Sequence, residues 1–536
     1  MIRSDRPNGA ETTVRRPKST EINPLGPASL WRLVELRADT DPDRVFLVDE
    51  FDRSLTYEQF RQAALRAAAG FAGLGVAAGD TVAWQLPTWI ESVVTMGALA
   101  RLGVRQLPLL PIYREAELSD LLARSGASLW CLPSLWRKTD YQPIVERVCE
   151  GSLQVRHLFC DHDLPDGDPK ILPEFDGTQG DEVAWLFPTS GTTSAPKLVM
   201  HTDRSIMAGG AAFCRAQGLR KSDRYGIAFP ITHIGGANNL AAALLGGYSL
   251  ALTEAFDPAK TAASFRRNQV TIAGGGPVFY AAFLKEQRRR EDGLSILPDL
   301  RFMTGGGAPM PSALHYAVRD EIGGVGCAHG YGMTEACIVS MNHPNDADER
   351  LATTVGRPTT GVEVRIVADG GPVAQGDQGE IQIRGEAVFR GYLGAQDSAL
   401  DDDGWFSTGD LGHLDTDGYL HITGRLKDII IRKGENVSAV EVEGILFSHP
   451  KVNDVAVIGL PDPDRGELVC AVVRPESGAA PTLDDLADHC AAAGLMTRKF
   501  PERLELMDDL PRNPAGKVLK NELRQRLVAV SSQGHQ

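Results

Sequence analysis

Apolar residues recur at helical spacing in SLWRLVELRADTDPDRVFLVDE and SLTYEQFRQAALRAAAGFAGLGV, and short β-like runs interrupt them, the rhythm of an α/β protein. TVAWQL reads as a strand and ESVVTMGALARLGV as the helix after it. SLWCL, HLFC, EVAWLF, SLAL and VTIAGG are further strand candidates, separated by helical patterns such as TAASFRRN. The segment LAAALLGGYSLAL from Leu240 is too short for a membrane span and contains glycines, so it reads as buried core. From Val362 the texture changes to short alternating strands, VEVRIV, GEIQIRG and GYLHITG, with DG, GG and DTDG turns, which suits a distorted antiparallel β-barrel. A smaller α+β unit follows, with strands VNDVAVIGL and ELVCAVVR and helices near SAVEVEGILFSHP, LDDLADHCAAAG and KNELRQRLVAV. The expected organisation is a flexible polar segment over residues 1–27, a large domain over 28–426 built from two layered α/β subdomains plus the barrel, and a small mobile domain over 427–536.

A chain of 536 residues exceeds a typical single core, in keeping with several domains. Its 43% hydrophobic and 23% charged content is ordinary for a soluble globular protein. The formal net charge of −15 argues against general affinity for nucleic acid or an anionic membrane. Eight cysteines are scattered without CxxC pairs, which suggests neither zinc site nor disulfide framework and fits a reduced, cytoplasmic setting. The polar N-terminus lacks the apolar stretch of a secretory signal. A homodimer is compatible with the sequence, which does not decide it.

The run FPTSGTTSAPKLVMH, residues 187–201, gathers hydroxyls and glycine before a lysine, as a phosphate-binding loop would. It is not the common nucleotide loop, because no glycine immediately precedes Lys197 and no Ser or Thr follows it. FPTSGTTSAPK, GGGAP, HGYGMTE, WFSTGDLG, GRLKDIIIRKGEN and PRNPAGK occur in this order. Together they closely resemble the superfamily of acyl-CoA synthetases, luciferases and peptide-synthetase adenylation domains, over nearly the whole chain after about residue 28.

That resemblance implies an AMP-forming acid–thiol ligase that uses ATP, Mg²⁺ and CoA. A carboxylate attacking an α-phosphate brings two anions together, so the site must supply positive charge and hydrogen-bond donors beforehand. By the resemblance, Thr189, Ser190, Gly191, Thr192 and Thr193 hold the β- and γ-phosphates and Lys197 adds a point charge. Gly306, Gly307, Ala308 and Pro309 lie against adenine, and Tyr331 stacks on it. Thr334 reaches the α-phosphate, and Glu335 helps hold Mg²⁺. Asp410 accepts the ribose hydroxyls with Arg425 as its basic companion. Lys517 bridges the attacking carboxylate and the α-phosphate. Lys427 matches the hinge about which the small domain turns between half-reactions; Lys517 leaves in the second pose, and Gly434 and Glu435 line the pantetheine tunnel. Arg498, Lys499 and Arg503 are the candidate cations for CoA phosphates.

On the acyl side, His233, Gly235, Gly275 and Gly305, with Gly236, Gly274 and Gly276, match segments that line the acid pocket, and small residues widen a cavity. LPLLPIYREAEL resembles the branch of cyclohexanecarboxylate and related ring-acid ligases. A bulky alicyclic, aromatic or terpenoid acid is therefore the leading substrate class, ahead of a medium-chain fatty acid. FDPAK around Asp257 is the nearest thing to an acidic anchor for an amino group. Two departures stand out: most relatives have glycine where this chain has Ser194 and Leu198. A left-handed conformation imposed on Ser194 costs about 1–2 kcal/mol. Beside the two-step ligase, three other readings stay open: a CoA ligase that takes its adenylate from a partner enzyme, an adenylation enzyme that loads a carrier protein, and a non-catalytic binding protein on the ligase fold.

Overall fold

A computed structural model describes residues 29–150, 154–177, 179–189, 196–433, 435–512 and 517–533. The N-terminal segment expected to be flexible lies outside these residues. Two sheets form the layered body. In the first, the strands run Leu198–Thr202, Val183–Pro188, Arg105–Pro108, Thr81–Trp84, Leu129–Leu132, Arg156–Phe159, parallel except for the edge pair Leu198–Thr202 with Val183–Pro188. Thr81–Trp84 and Leu129–Leu132 are buried at every position, as strands of a covered parallel sheet must be. The second, nine-stranded sheet is parallel from Val45–Asp49 through Ser249–Leu252, Arg224–Ile227, Ile272–Gly274 and Phe302–Gly305 to Cys327–Met333, with antiparallel strands at both edges.

The apolar run from Leu240 resolves into the end of helix Ile234–Gly246 and strand Ser249–Leu252, joined by Gly247 at φ +72°. Orphan carbonyls at that helix end need donors. Arg37, fully buried, supplies them: its Nε and Nη2 donate to Leu244 O and Leu245 O, each at 2.6 Å, and Asp41 pairs with its charge. Asp203, at the start of helix Asp203–Ala216, accepts from Leu30 N at 2.8 Å and Trp185 Nε1 at 3.0 Å, and ties helix Leu30–Thr40 to the first sheet. Burial pushes its carboxyl pKa up, which these two bonds only partly offset.

The alternating strands after Val362 form a five-stranded antiparallel sheet, ordered Gly371–Pro372, Val362–Ala368, Gly379–Gly385, Phe406–Leu414, Leu420–Arg425. The short helical turn Leu426–Asp428 leads from it into the terminal unit. There Val452–Asp462 and Gly466–Pro475 form a long antiparallel pair. Alternation along the first strand sends Val455 and Val457 to one core with Val442 and Leu486, and Ala456 and Ile458 to another with Leu523 and Leu527. Helices Ala439–Leu446, Leu483–Ala492 and Lys520–Gln533 cover these two faces. Among the described residues no helix is long and apolar enough to cross a membrane.

Candidate functional site

Ligands of open parallel sheets gather beyond the carboxyl ends of the strands, and the sequence motifs converge there. Strand Phe302–Gly305 runs directly into Gly306–Pro309. A Cβ on Gly305, at φ +152°, would lie 1.5 Å from Gly275 O, and one on Gly306 would lie 2.7 Å from Gly330 O. These glycines therefore allow three strand ends to close together, a packing reason independent of any ligand. His329 fixes the segment by donating from Nε2 to Ala308 O at 3.0 Å, and burial lowers its pKa to about 4, which leaves the ring neutral.

Tyr331, two residues on from His329, reaches across to the antiparallel sheet, where its hydroxyl donates to Asp410 Oδ2 at 2.6 Å. Asp410, only 4% exposed, also accepts from Arg425 Nε through Oδ1, and the two residues are register partners on neighbouring strands. Each oxygen of the buried carboxyl group thus has a donor, one of them the charged guanidinium of Arg425. Lys517 comes to the same place from the far end of the chain. Burial and the repulsion of Arg425 lower its pKa to about 8, against the attraction of Asp410 and Asp428. Within the terminal unit the last helix is tied back by Arg524, which donates to Asp428 at 3.0 Å, and by Lys520, paired with Glu443 at 2.7 Å.

A third cluster centres on Tyr392. Its hydroxyl donates to Glu335 Oε1 at 2.7 Å, and Lys197 Nζ lies 4.3 Å from its ring centroid. Glu335 and Lys197 thus meet one phenol, the first at its hydroxyl and the second over its ring. Thr334 O accepts from His201 Nε2 at 2.8 Å; His201 is buried, its pKa lowered to about 4, so it acts as a neutral strut between that turn and Ser205. A cavity of about 430 Å³ opens beside Lys197 and Tyr392, with Arg124 and Asp397 among its walls. Leu198, where relatives have glycine, starts strand Leu198–Thr202 and packs 1% exposed against the core of Leu107, Leu132 and Leu186. Its side chain needs no special backbone, which explains why the substitution fits. Thr189 closes the other side of the loop, its N–H donating to Lys197 O at 2.9 Å. Ser190, Gly191, Thr192, Thr193 and Ser194 lie outside the described residues, as does Gly434.

Among the described residues no group of three or more His, Cys, Asp or Glu side chains forms a metal cage. The single carboxylate of Glu335 still suits Mg²⁺, which binds one or two carboxylates and completes its shell with water and phosphate oxygens.

On the acyl side, His233 caps helix Ile234–Gly246 and its Nδ1 accepts from Gly235 N at 3.3 Å. Its ring is solvent-accessible, yet desolvation lowers its pKa, the combination expected in a cleft. Gly236 and Gly274 are required by packing: a Cβ would strike Ile231 O at 1.8 Å and the Tyr225 hydroxyl at 2.3 Å. Gly235 and Gly275 have more room, their nearest neighbours being the Phe229 and Phe279 side chains at 3.1 and 3.0 Å. Gly276 would meet Gly306 O at 2.9 Å. Asp257 is spent as the N-cap of helix Pro258–Arg267.

The small-domain candidates are already engaged. Arg498 pairs with Glu435, Lys499 with Glu441 at 2.6 Å, and Arg503 with Glu505 at 2.6 Å. Lys427 is exposed in the Leu426–Asp428 turn. Tyr392 and His201 were not found from the sequence; His201 stands in strand Leu198–Thr202 just after the phosphate loop, whereas Tyr392 meets that strand only through an isolated bridge to Val199.

The comparisons with known proteins agree with this geometry. Residues 34–393 match the model of the AMP-binding enzyme family, and residues 441–517 match that of the AMP-binding enzyme C-terminal domain. The chain is 31% identical over 527 residues to the medium-chain fatty-acid–CoA ligase of Escherichia coli strain K12, covering 94% of this chain and 91% of that one. It is 34% identical over 483 residues to a feruloyl-CoA synthase of an Amycolatopsis species, covering 88% and 94%. The solved structure of ATP-bound MatB from Rhodopseudomonas palustris superposes with a TM-score of 0.84 at 27% identity, covering 94% of this chain and 99% of the other. By the family models matched and the relatives shared, the chain belongs to the AMP-binding enzymes and is an AMP-forming acid–thiol ligase.

Proposed function

We propose that this enzyme is an acyl-CoA synthetase that activates a bulky alicyclic, aromatic or terpenoid carboxylic acid as its acyl adenylate and passes the acyl group to CoA. ATP, Mg²⁺ and CoA are its cosubstrates, and the cytoplasm is its site of action. The observation that carries the reading is the approach of Lys517 to the Asp410–Arg425 pair. In that pose the ammonium group meets the attacking carboxylate and the α-phosphate while Asp410 receives the ribose hydroxyls.

In the first half-reaction a carboxylate oxygen bonds to the α-phosphorus, the bond from phosphorus to the bridging oxygen breaks, and pyrophosphate leaves. Lys517 and the Thr334 turn offset the charge that gathers on the phosphoryl oxygens. Glu335, oriented by Tyr392, would hold Mg²⁺, which neutralises phosphate charge when bound. Lys197 and the hydroxyl-rich loop take the β- and γ-phosphates. In the second half-reaction the thiol sulfur bonds to the acyl carbon, loses its proton, and AMP departs. The small domain turns about Lys427 between the two, which removes Lys517 and brings Gly434 and Glu435 to the thiol channel.

The ring-acid class draws support from the resemblance to feruloyl-CoA synthase and from the small residues Gly235 and Gly275 on the acyl side. Pyrophosphate release with a panel of aromatic, alicyclic and straight-chain acids tests it. The fastest acid is expected to carry a ring; a straight-chain acid that exceeds every ring acid by tenfold in kcat/KM would sink the substrate class.

A further inference from the structure

Lys517 stands just before helix Lys520–Gln533, so wherever that helix is held the lysine goes with it. The residues between are fixed within the small unit: Val518 bridges Arg512, and Leu519 N donates to Pro511 O at 2.8 Å. One face of the helix is apolar, with Leu523 and Leu527 buried against Ala456 and Ile458. Apolar burial is non-directional, so it holds the helix down without specifying its rotation or its shift along the axis.

Two directional contacts supply what the apolar face cannot. Lys520 and Arg524 lie one turn apart on the helix, and each meets a carboxylate shielded from water. Lys520 Nζ is 2.7 Å from Glu443 Oε1, and that oxygen also accepts from Val457 N at 2.7 Å. Arg524 Nη2 donates to Asp428 Oδ1 at 3.0 Å, while its Nη1 donates to Asn521 Oδ1 at 2.7 Å. Asp428 is the inward residue of the Leu426–Asp428 turn: its side chain is 22% exposed, whereas Leu426 is 51% exposed and Lys427 is exposed as well. Desolvation would raise its carboxyl pKa, yet the charges of Lys520, Arg524 and Lys517 hold it below the ordinary value. The turn that leads into the small unit is thus bonded directly to the helix that carries Lys517.

We propose that Asp428 is a positioning residue for adenylation: through Arg524 it ties the last helix to the hinge turn, so that Lys517 is set in place within the small unit before that unit closes on Asp410. Asp428, Glu443 and Lys517 all follow Lys427 in the chain, so the arrangement travels intact as the unit turns, while Asp410 and Arg425 stay with the large domain. This rests on the two-step ligase reading. A lysine placed in advance loses less freedom on closure, and misplacing such a group by about 1 Å can cost about 10²-fold in rate. The opposing reading is that contact with the large domain alone orders the lysine.

The test reads the lysine itself. Acetic anhydride labelling of the full-length enzyme without substrates, followed on the Lys517 peptide across pH, gives the titration of that amine. The charges around it are Arg425, Asp410, Asp428 and Lys520, and in wild type it is expected to titrate at about 8. Arg524→Met releases the helix, so the amine regains water and its titration should rise by about one pH unit or more. Arg524→Lys can still pair with Asp428 and should stay near wild type. Asp428→Asn leaves an oxygen for Arg524 but removes the negative charge, so the titration should fall, a direction that unfolding cannot produce. In turnover, Arg524→Met should lower kcat for pyrophosphate release by about tenfold, with thioester formation from synthetic adenylate within about threefold of wild type. An unmoved titration in Arg524→Met, or equal loss in both half-reactions, overturns the proposal. Labelling needs neither acid nor nucleotide, so a wild-type enzyme inert toward every acid would sink the ligase reading while the titrations still decide whether Asp428 places the lysine.

Discussion

Replacing Lys517 by arginine should remove a limb from the pH profile of adenylation. Burial, followed by the positive charge of Arg425, lowers the Lys517 pKa from 10.5 to about 8. About nine-tenths of the side chain is then charged at pH 7 and about one-tenth at pH 9. Since the neutral amine cannot offset the phosphoryl charge, kcat/KM for ATP, which reports the free enzyme, should be level below pH 7 and fall about tenfold per unit well above pH 8. Arginine stays charged throughout, so Lys517→Arg should be slower yet level to pH 9.5 or so. Asp410 opposes the depression, so Asp410→Asn should move the limb to lower pH, and Arg425→Ala should move it up. Stability follows the opposite course. The folded-state pKa lies below the unfolded one, so the unfolded chain holds the proton more tightly between about 8 and 10.5. Folding should be penalised fully below that window and recover as pH rises through it, relative to Lys517→Met. Pyrophosphate release and urea unfolding across pH 6.5–9.5 read the two trends. A wild-type profile level to pH 9.5, or a limb that survives in Lys517→Arg, would refute the placement of this lysine.

Other substitutions separate the remaining parts of the site. Tyr392→Phe removes the donor to Glu335 and should raise the Mg²⁺ concentration for half-maximal pyrophosphate release by about tenfold; an unchanged Mg²⁺ dependence would assign Tyr392 to Lys197 instead. Gly434→Leu should slow transfer to CoA by on the order of 10²-fold with adenylation nearly intact, as measured from synthetic adenylate and from ATP respectively. Gly305→Ala should cost at least about 3 kcal/mol or prevent folding, since its Cβ would lie 1.5 Å from a carbonyl oxygen. Gly307→Ala, with nothing within 4 Å but φ at +87°, should cost only about 1–2 kcal/mol in thermal unfolding.

Much of this was legible in the chain because the motifs are local. The strand candidates from TVAWQL to VTIAGG, the shift to antiparallel alternation at Val362 and the terminal α+β unit all follow from period and turn residues read over a few positions. The meeting of Tyr331, Asp410, Arg425 and Lys517 was reached through resemblance, since no periodicity links residues 331 and 517. What stayed hidden depends on pairing across the fold. Arg37 reads as a surface charge on an amphipathic helix, yet it closes the end of a helix some two hundred residues later. Tyr392 follows no motif, and its place between Lys197 and Glu335 arises because Leu393 N donates to Leu198 O at 2.9 Å, which sets the two segments side by side. Arg498 and Lys499 read as free cations, and only the folded small domain brings Glu435 and Glu441 to them. The departure at Leu198 looked like a defect in a glycine-rich loop and proves to be a core position.

The central claim is that one lysine serves one half-reaction by position. The most direct measurement is Lys517→Ala assayed twice, for pyrophosphate release from ATP and acid, and for CoA thioester formation from the matching synthetic adenylate. Adenylation should fall by on the order of 10²–10³, the scale of losing one preorganised donor, while thioester formation stays within about threefold of wild type. Equal loss in both assays, or retention of both, would contradict the account.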